Sequence, residues 1–151
     1  MSCMKQSSAI VAFVLVVAIV AVLPLLVSSV LQFRAEIASA ATLKAVGIGV
    51  YKDAACTAQV SQIDWGVLEP GNNKTVTVYI RNESNVPVTL TLETADWNPA
   101  NATQVVSLTW DQENAQVDAG SVVHANLTLH VVAETSGLST FTFTIIITGT
   151  G

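Results

Sequence analysis

From Thr75 onward, apolar and polar side chains change places at nearly every step. Val76, Val78 and Ile80 alternate with Thr75, Thr77, Tyr79 and Arg81, and Val86, Val88, Leu90 and Leu92 alternate with Pro87, Thr89, Thr91 and Glu93. The same period runs through Val106, Leu108 and Trp110, through Val123, Ala125, Leu127, Leu129 and Val131, and through Phe141, Phe143, Ile145 and Ile147. Thr, Ser, His and Asn fill most of the positions between. A period of two in β-branched and aromatic residues predicts strands with one buried face. Turn-forming clusters separate these runs at residues 69–73, 82–85, 98–101, 118–120 and 136–137.

Adding residues 42–52 and 62–68 gives about seven strands and no helical period in the region. The predicted fold class is all-β, an antiparallel β-sandwich of immunoglobulin-like size occupying residues 41–151. Its expected inward-facing set is Trp65, Val78, Ile80, Leu90, Leu92, Leu108, Trp110, Leu127, Leu129, Phe143 and Ile145, with Thr77, Thr128 and Thr142 facing out.

The N-terminal forty residues follow a different rule. Residues 9–27 carry no charge and no polar side chain, and near-apolar character continues to Phe33. Such a run predicts a hydrophobic helix, with Lys5 holding the N-terminus inside and the rest sent across the bilayer. Two outcomes are open. A signal peptide would be cut at the small-x-small motif Ala38-Ser39-Ala40, whereas a retained segment 9–33 would be a transmembrane anchor. Either places the β-domain outside the cell, at its surface or free of it.

Composition narrows the chemistry. Beyond Ala40 there are four basic residues (Lys44, Lys52, Lys74 and Arg81) against ten acidic ones. This balance excludes a nucleic-acid binder, which needs a clustered basic face. His124 and His130 share one strand face but lie about 20 Å apart, too far to share a metal. No G-x-S-x-G or Ser/His/Asp arrangement occurs, and the acidic residues lack calcium-loop spacing. The chain is therefore expected to be neither an enzyme nor a cofactor or metal binder. Trp65 and Trp110 read as core; Trp97, at a strand end, is open between core and a sugar-binding platform. Cys56 reads as a small buried thiol, with an intermolecular disulfide as the functional alternative. Four Asn-x-Ser/Thr sequons, at Asn73, Asn82, Asn101 and Asn126, mark the exported domain for glycosylation.

A longer pattern is also present: Ile63-Asp64-Trp65-Gly66-Val67-Leu68-Glu69-Pro70-Gly71, then Lys74 to Glu83, then Asn85 to Leu90, framed by Val50-Tyr51-Lys52-Asp53, Ala55-Cys56-Thr57, Trp97-Asn98-Pro99-Ala100 and Phe141-Thr142-Phe143. Over residues 46–148 this layout resembles small archaeal surface proteins, among them the subunits of archaeal threads and bundling pili. The resemblance implies single sandwiches joined by donor-strand complementation, with no catalytic residues. The long apolar segment departs from that pattern, because an anchored chain cannot deliver a free donor strand far from the membrane.

The expected donor strand is Thr42, Leu43, Lys44, Ala45, Val46, Gly47, Ile48, Gly49 and Val50, which directly follows the cleavage motif. If it serves a neighbour, it lies outside its own sandwich or along an exchangeable edge; otherwise it is the domain's own first strand. The first functional expectation is thus a structural subunit that polymerises with itself into an extracellular filament or surface layer. The alternative is a membrane-anchored binding or adhesion module whose partners are other envelope proteins. A further alternative is a subunit of type IV pilin or archaellin kind, although Lys5-Gln6 does not supply the processing motif that reading needs.

Overall fold

The computed structural model describes residues 36–151; the apolar segment 9–33, expected to be helical, lies outside them. The described residues form nine strands: β1 (Ile37–Val46), β2 (Gly49–Tyr51), β3 (Gln62–Leu68), β4 (Asn73–Arg81), β5 (Val88–Asn98), β6 (Val106–Trp110), β7 (Gln116–Val117), β8 (Val122–Val131) and β9 (Thr140–Thr150). A 3-10 turn at Ala100–Gln104 joins β5 to β6. The strands make two sheets, one of five in the order β3-β1-β9-β5-β7 and one of four in the order β2-β4-β8-β6. This is the all-β sandwich that the alternating pattern predicts.

The core lies between the sheets. Trp65, Ile80, Leu90, Leu127, Leu129 and Ile145 are fully buried, and Val78 and Phe143 nearly so. Leu92, Leu108 and Trp110 pack against them partly exposed, since β6 is an edge strand and Trp110 is its last residue. Thr77 and Thr142 are exposed and Thr128 half-buried, so the register follows the sequence pattern. Leu127→Ala should therefore cost about 2–5 kcal/mol, through lost transfer free energy and the cavity left behind. Thr128→Ala gives up a hydroxyl contact with Thr75 at 2.9 Å and should cost no more than about 1 kcal/mol. Chemical denaturation of the two variants checks the pair.

The expected first strand is where the fold departs from the sequence reading. Residues 42–52 are not one strand: β1 ends at Val46 and β2 begins at Gly49 in the other sheet. The chain changes sheets at Gly47, whose φ is +73° and where a Cβ would come within 2.6 Å of the Gly149 carbonyl oxygen. Only glycine fits both demands. β1 also begins earlier than expected, at Ile37, and pairs antiparallel with β3 and parallel with β9. The parallel pair makes the sandwich mixed rather than purely antiparallel.

The donor-strand expectation for Thr42–Val50 is corrected accordingly. β1 is an interior strand with a ladder on each side, neither outside its sandwich nor at an edge. Its inward residues Ile37, Ala41 and Leu43 are buried, as is Val50 on β2. The motif Ala38-Ser39-Ala40 lies inside this strand, where Ser39 is buried and its hydroxyl is 3.4 Å from the Gly66 carbonyl.

Candidate functional site

The four sequons occupy very different surroundings. Asn73, at the start of β4, and Asn101, in the 3-10 turn, are exposed. Asn82 is corrected: it is fully buried at the end of β4. Its side-chain amide donates to the carbonyls of Val86 (2.7 Å) and Val117 (3.0 Å), and its Oδ1 accepts from the Ser84 backbone N–H (3.0 Å) and hydroxyl (2.7 Å). Its backbone bonds Ser121 and Gly120 as well. Asn82 is thus a corner brace, its amide donating twice, with no room for a sugar. Asn126 is half-buried in mid-sheet, its amide 2.8 Å from Asp111 Oδ2 and its Oδ1 accepting from Thr77 at 2.7 Å. Folding leaves Asn73 and Asn101 as the two open sequons.

Asn126 belongs to a polar ladder on the outer face of the four-stranded sheet. Thr75 bonds Thr128, Thr77 bonds Asn126, and the Thr109 hydroxyl lies 2.8 Å from His130 Nε2. Tyr51, Tyr79 and His124 stand in register across β2, β4 and β8 at the other end of this face. Tyr51 donates its hydroxyl to Glu83, and that bond raises the phenol above its ordinary value. The two histidines are placed apart, as their spacing requires, and among the described residues no three His, Cys, Asp or Glu converge on a metal position.

Asp111 ties the end of β6 to β8. Burial alone would raise its carboxyl, but the backbone N–H and side-chain amide of Asn126 hold it below the ordinary value. A carboxyl whose folded-state value is depressed stabilises fully above the unfolded value, near 4, and loses that contribution as pH falls through the lowered one. The melting-temperature gap between wild type and Asp111→Asn should therefore be widest at neutral pH. It should narrow as the pH drops below about 4, which a melting series across acid pH measures.

The third candidate is the open side between β3 and β4, where the sheets part. A hollow of about 320 Å³ is lined by Lys52, Ile63, Asp64, Val76, Thr77 and Val78 among others. A neighbouring one of about 420 Å³ has Ala40, Lys52, Gln59, Ser61, Gln62 and Asp64 on its walls. Its edge is defended against strand addition: the Lys74 ammonium donates to the outward carbonyl of Trp65. The Gly66 N–H turns onto Asp64 Oδ1 at 2.7 Å, in a bulge that shifts the β1–β3 register. Both are ways of blunting an edge. Sequence reasoning missed Lys74 in this role; the signal was a lysine early in a strand that follows a Trp-Gly pair across a Pro-Gly turn.

Cys56 is corrected from buried to half-buried. It sits in the turn after β2 at φ +54°, where the Asp53 carboxylate accepts from the backbone N–H groups of Thr57 (3.1 Å) and Ala58 (2.9 Å). Those bonds, the Thr57 N–H foremost, lower the Asp53 carboxyl below its ordinary value. Trp97 is half-buried and packs against the edge of the core. Its ring stacks on Phe143 at 4.2 Å and 6°, and on Phe141 at 6.0 Å and 24°. It is no platform.

No family model matches the chain, and no curated protein does. Among solved structures it is similar to an ASH/PapD-like domain of human CEP192, PapD-like domain 7, at 9% identity and a TM-score of 0.37. The alignment covers 70% of this chain and 86% of that one. The sandwich assignment rests on the strand pairing above.

Proposed function

We propose that the chain is an exported β-sandwich interaction module held at the cell surface by its apolar segment. The observation that carries this reading is the start of β1. Ile37 is fully buried, and only Arg34, Ala35 and Glu36 separate it from the end of the apolar run at Phe33. Cleavage after Ala40 would remove the half of β1 that pairs with Leu68, Val67, Gly66 and Asp64 on one side and with Thr140–Thr142 on the other. A leader cut there would take part of the fold with it, so the segment is retained as an anchor, with Lys5 on the inner side.

Filament growth by exchange of Thr42–Val50 finds less support. Donating that strand would require breaking both of its ladders and extracting Leu43 and Val50 from the core. A module of this kind presents its faces and loops to envelope partners rather than its backbone edges, and Asn73 and Asn101 are the positions for any glycan. The test is the N-terminus and mass of the protein recovered from native membranes. A chain that still carries Lys5, resists alkaline extraction and exposes its β-domain to external protease is the expected result. A mature N-terminus at Ala41 on a folded, released domain overturns the reading.

A further inference from the structure

The outer face of the five-stranded sheet is built mostly from small side chains, Ala38, Ala40 and Thr42 on β1, Thr140, Thr142 and Thr148 on β9, Thr89 and Thr91 on β5, with Val67 on β3 exposed beside Ala38. β9 is the middle strand of the five. One residue past its midpoint Ile146, half-exposed, stands in register with Lys44 on one neighbour and Glu93 on the other. Four charged side chains mark this face. Asp96 already accepts from the Thr144 hydroxyl at 2.9 Å and Asp64 from the Gly66 N–H at 2.7 Å. Lys44 and Glu93 are exposed, and among the described residues neither has an intrachain ion-pair partner. One strand, carrying Ile146, stands between them and keeps them apart.

We propose that this face is a homodimer interface, with a two-fold axis running along β9. That operation places Ile146 on the partner's Ile146, β1 over the partner's β5, and each Lys44 opposite the partner's Glu93. Val46, 51% exposed on β1, meets the methyl side of the partner's Thr91, and Asp96 meets the partner's Thr42. The alternative two-fold, across the strands, would set Lys44 against Lys44 and Glu93 against Glu93; like-charge pairs exclude it. A second copy is thus the occupant whose charges fit, because the pattern is antisymmetric about its own central residue. Small side chains let two sheets approach to about 10 Å. β3 and β7 flank opposite ends of β9, so the three central strands carry the contact; at about 4.8 Å spacing and about 30 Å length they cover about 430 Å² per partner, the size of a weak, reversible interface. The charge-matched axis also keeps both β1 starts at the same end of the dimer, so two chains anchored in one membrane can form it side by side. The interface itself needs only residues of the sandwich and does not depend on the anchor.

The experiment uses the full chain in detergent micelles, with oligomeric mass followed by light scattering through the micromolar range. Wild type should show a monomer–dimer equilibrium that weakens with salt. Lys44→Glu and Glu93→Lys should each weaken it about tenfold or more, and the double variant should recover most of the loss. Ile146→Lys should abolish it. Since all three positions are on the surface, melting temperatures should stay near wild type, which separates lost pairing from lost folding. A wild type that is monomeric throughout overturns the proposal. So does a dimer indifferent to the single reversals, as one made by the apolar segments would be, and so does a double variant that stays as weak as the singles.

Discussion

A chain beginning at Ala41 should be markedly less stable than one beginning at Arg34, which should fold and melt cooperatively. The difference is seven residues, and the four from Ile37 to Ala40 decide it. Ile37 is fully buried, and losing a buried side chain of that size costs about 2–5 kcal/mol including the cavity. The backbone of the four residues pairs with both β3 and β9, each hydrogen bond contributing about 0.5–1.5 kcal/mol net. Freeing four residues returns about 1–2 kcal/mol of conformational entropy apiece, which offsets part of this loss. The buried side chain and the two lost ladders outweigh the entropy returned, leaving a net cost of roughly a few kcal/mol against total stabilities of about 5–15 kcal/mol. The Ala41 chain should then melt at least about 15 °C lower than the Arg34 chain, or show no cooperative transition. Calorimetry of the two side by side measures it, and equal melting temperatures would mean that Ile37–Ala40 is dispensable.

Asn82→Ala should be the most damaging substitution of a polar side chain. It deletes a fully buried amide, takes the buried donor from the Val117 carbonyl and leaves the Val86 carbonyl to the Ser84 hydroxyl alone. A buried acceptor deprived of its donor costs about 1–3 kcal/mol, and the emptied side-chain volume adds to it, so the expected loss is about 2–4 kcal/mol. Asn73→Ala, at an exposed sequon, should change stability by less than about 0.5 kcal/mol. Urea titration separates the two, and intact mass of the native protein should place no glycan on Asn82 whatever is found at Asn73 or Asn101.

The strands with a long alternating pattern were legible without coordinates. β4, β5, β8 and β9 carry three or more β-branched or large apolar residues in strict alternation on one face, which fixes both the element and its register. β1 was not, because Ile37-Ala38-Ser39-Ala40-Ala41 is built from small residues whose inward and outward positions look alike. The same small residues imitate a cleavage motif. The sheet switch at Gly47 is invisible for a related reason: the alternation continues through it, and only the backbone records the change of partner. β7 is two residues long, too short for any period. The sequon at Asn82 shows a different limit. A motif of three residues carries no information on whether its asparagine faces solvent, and here the side chain is spent on neighbouring carbonyls.

The parallel pairing of the first and last strands has a consequence for how the molecule comes into being. Ala38 is matched to Thr140 and Val46 to Thr148, so β1 finds its longer ladder only when nearly the whole chain is present. Contacts this distant in sequence slow folding, because the loop must close before the ladder repays it. A chain threaded across a bilayer N-terminal part first would bring β1 out early and β9 last. Until Gly151 emerges, β1 has only β3 to lean on, one face of its backbone unpaired and open to misassembly with neighbouring chains. The five-stranded sheet therefore closes late, once β9 is available, and anything that holds that eleven-residue strand back leaves β1 half-paired.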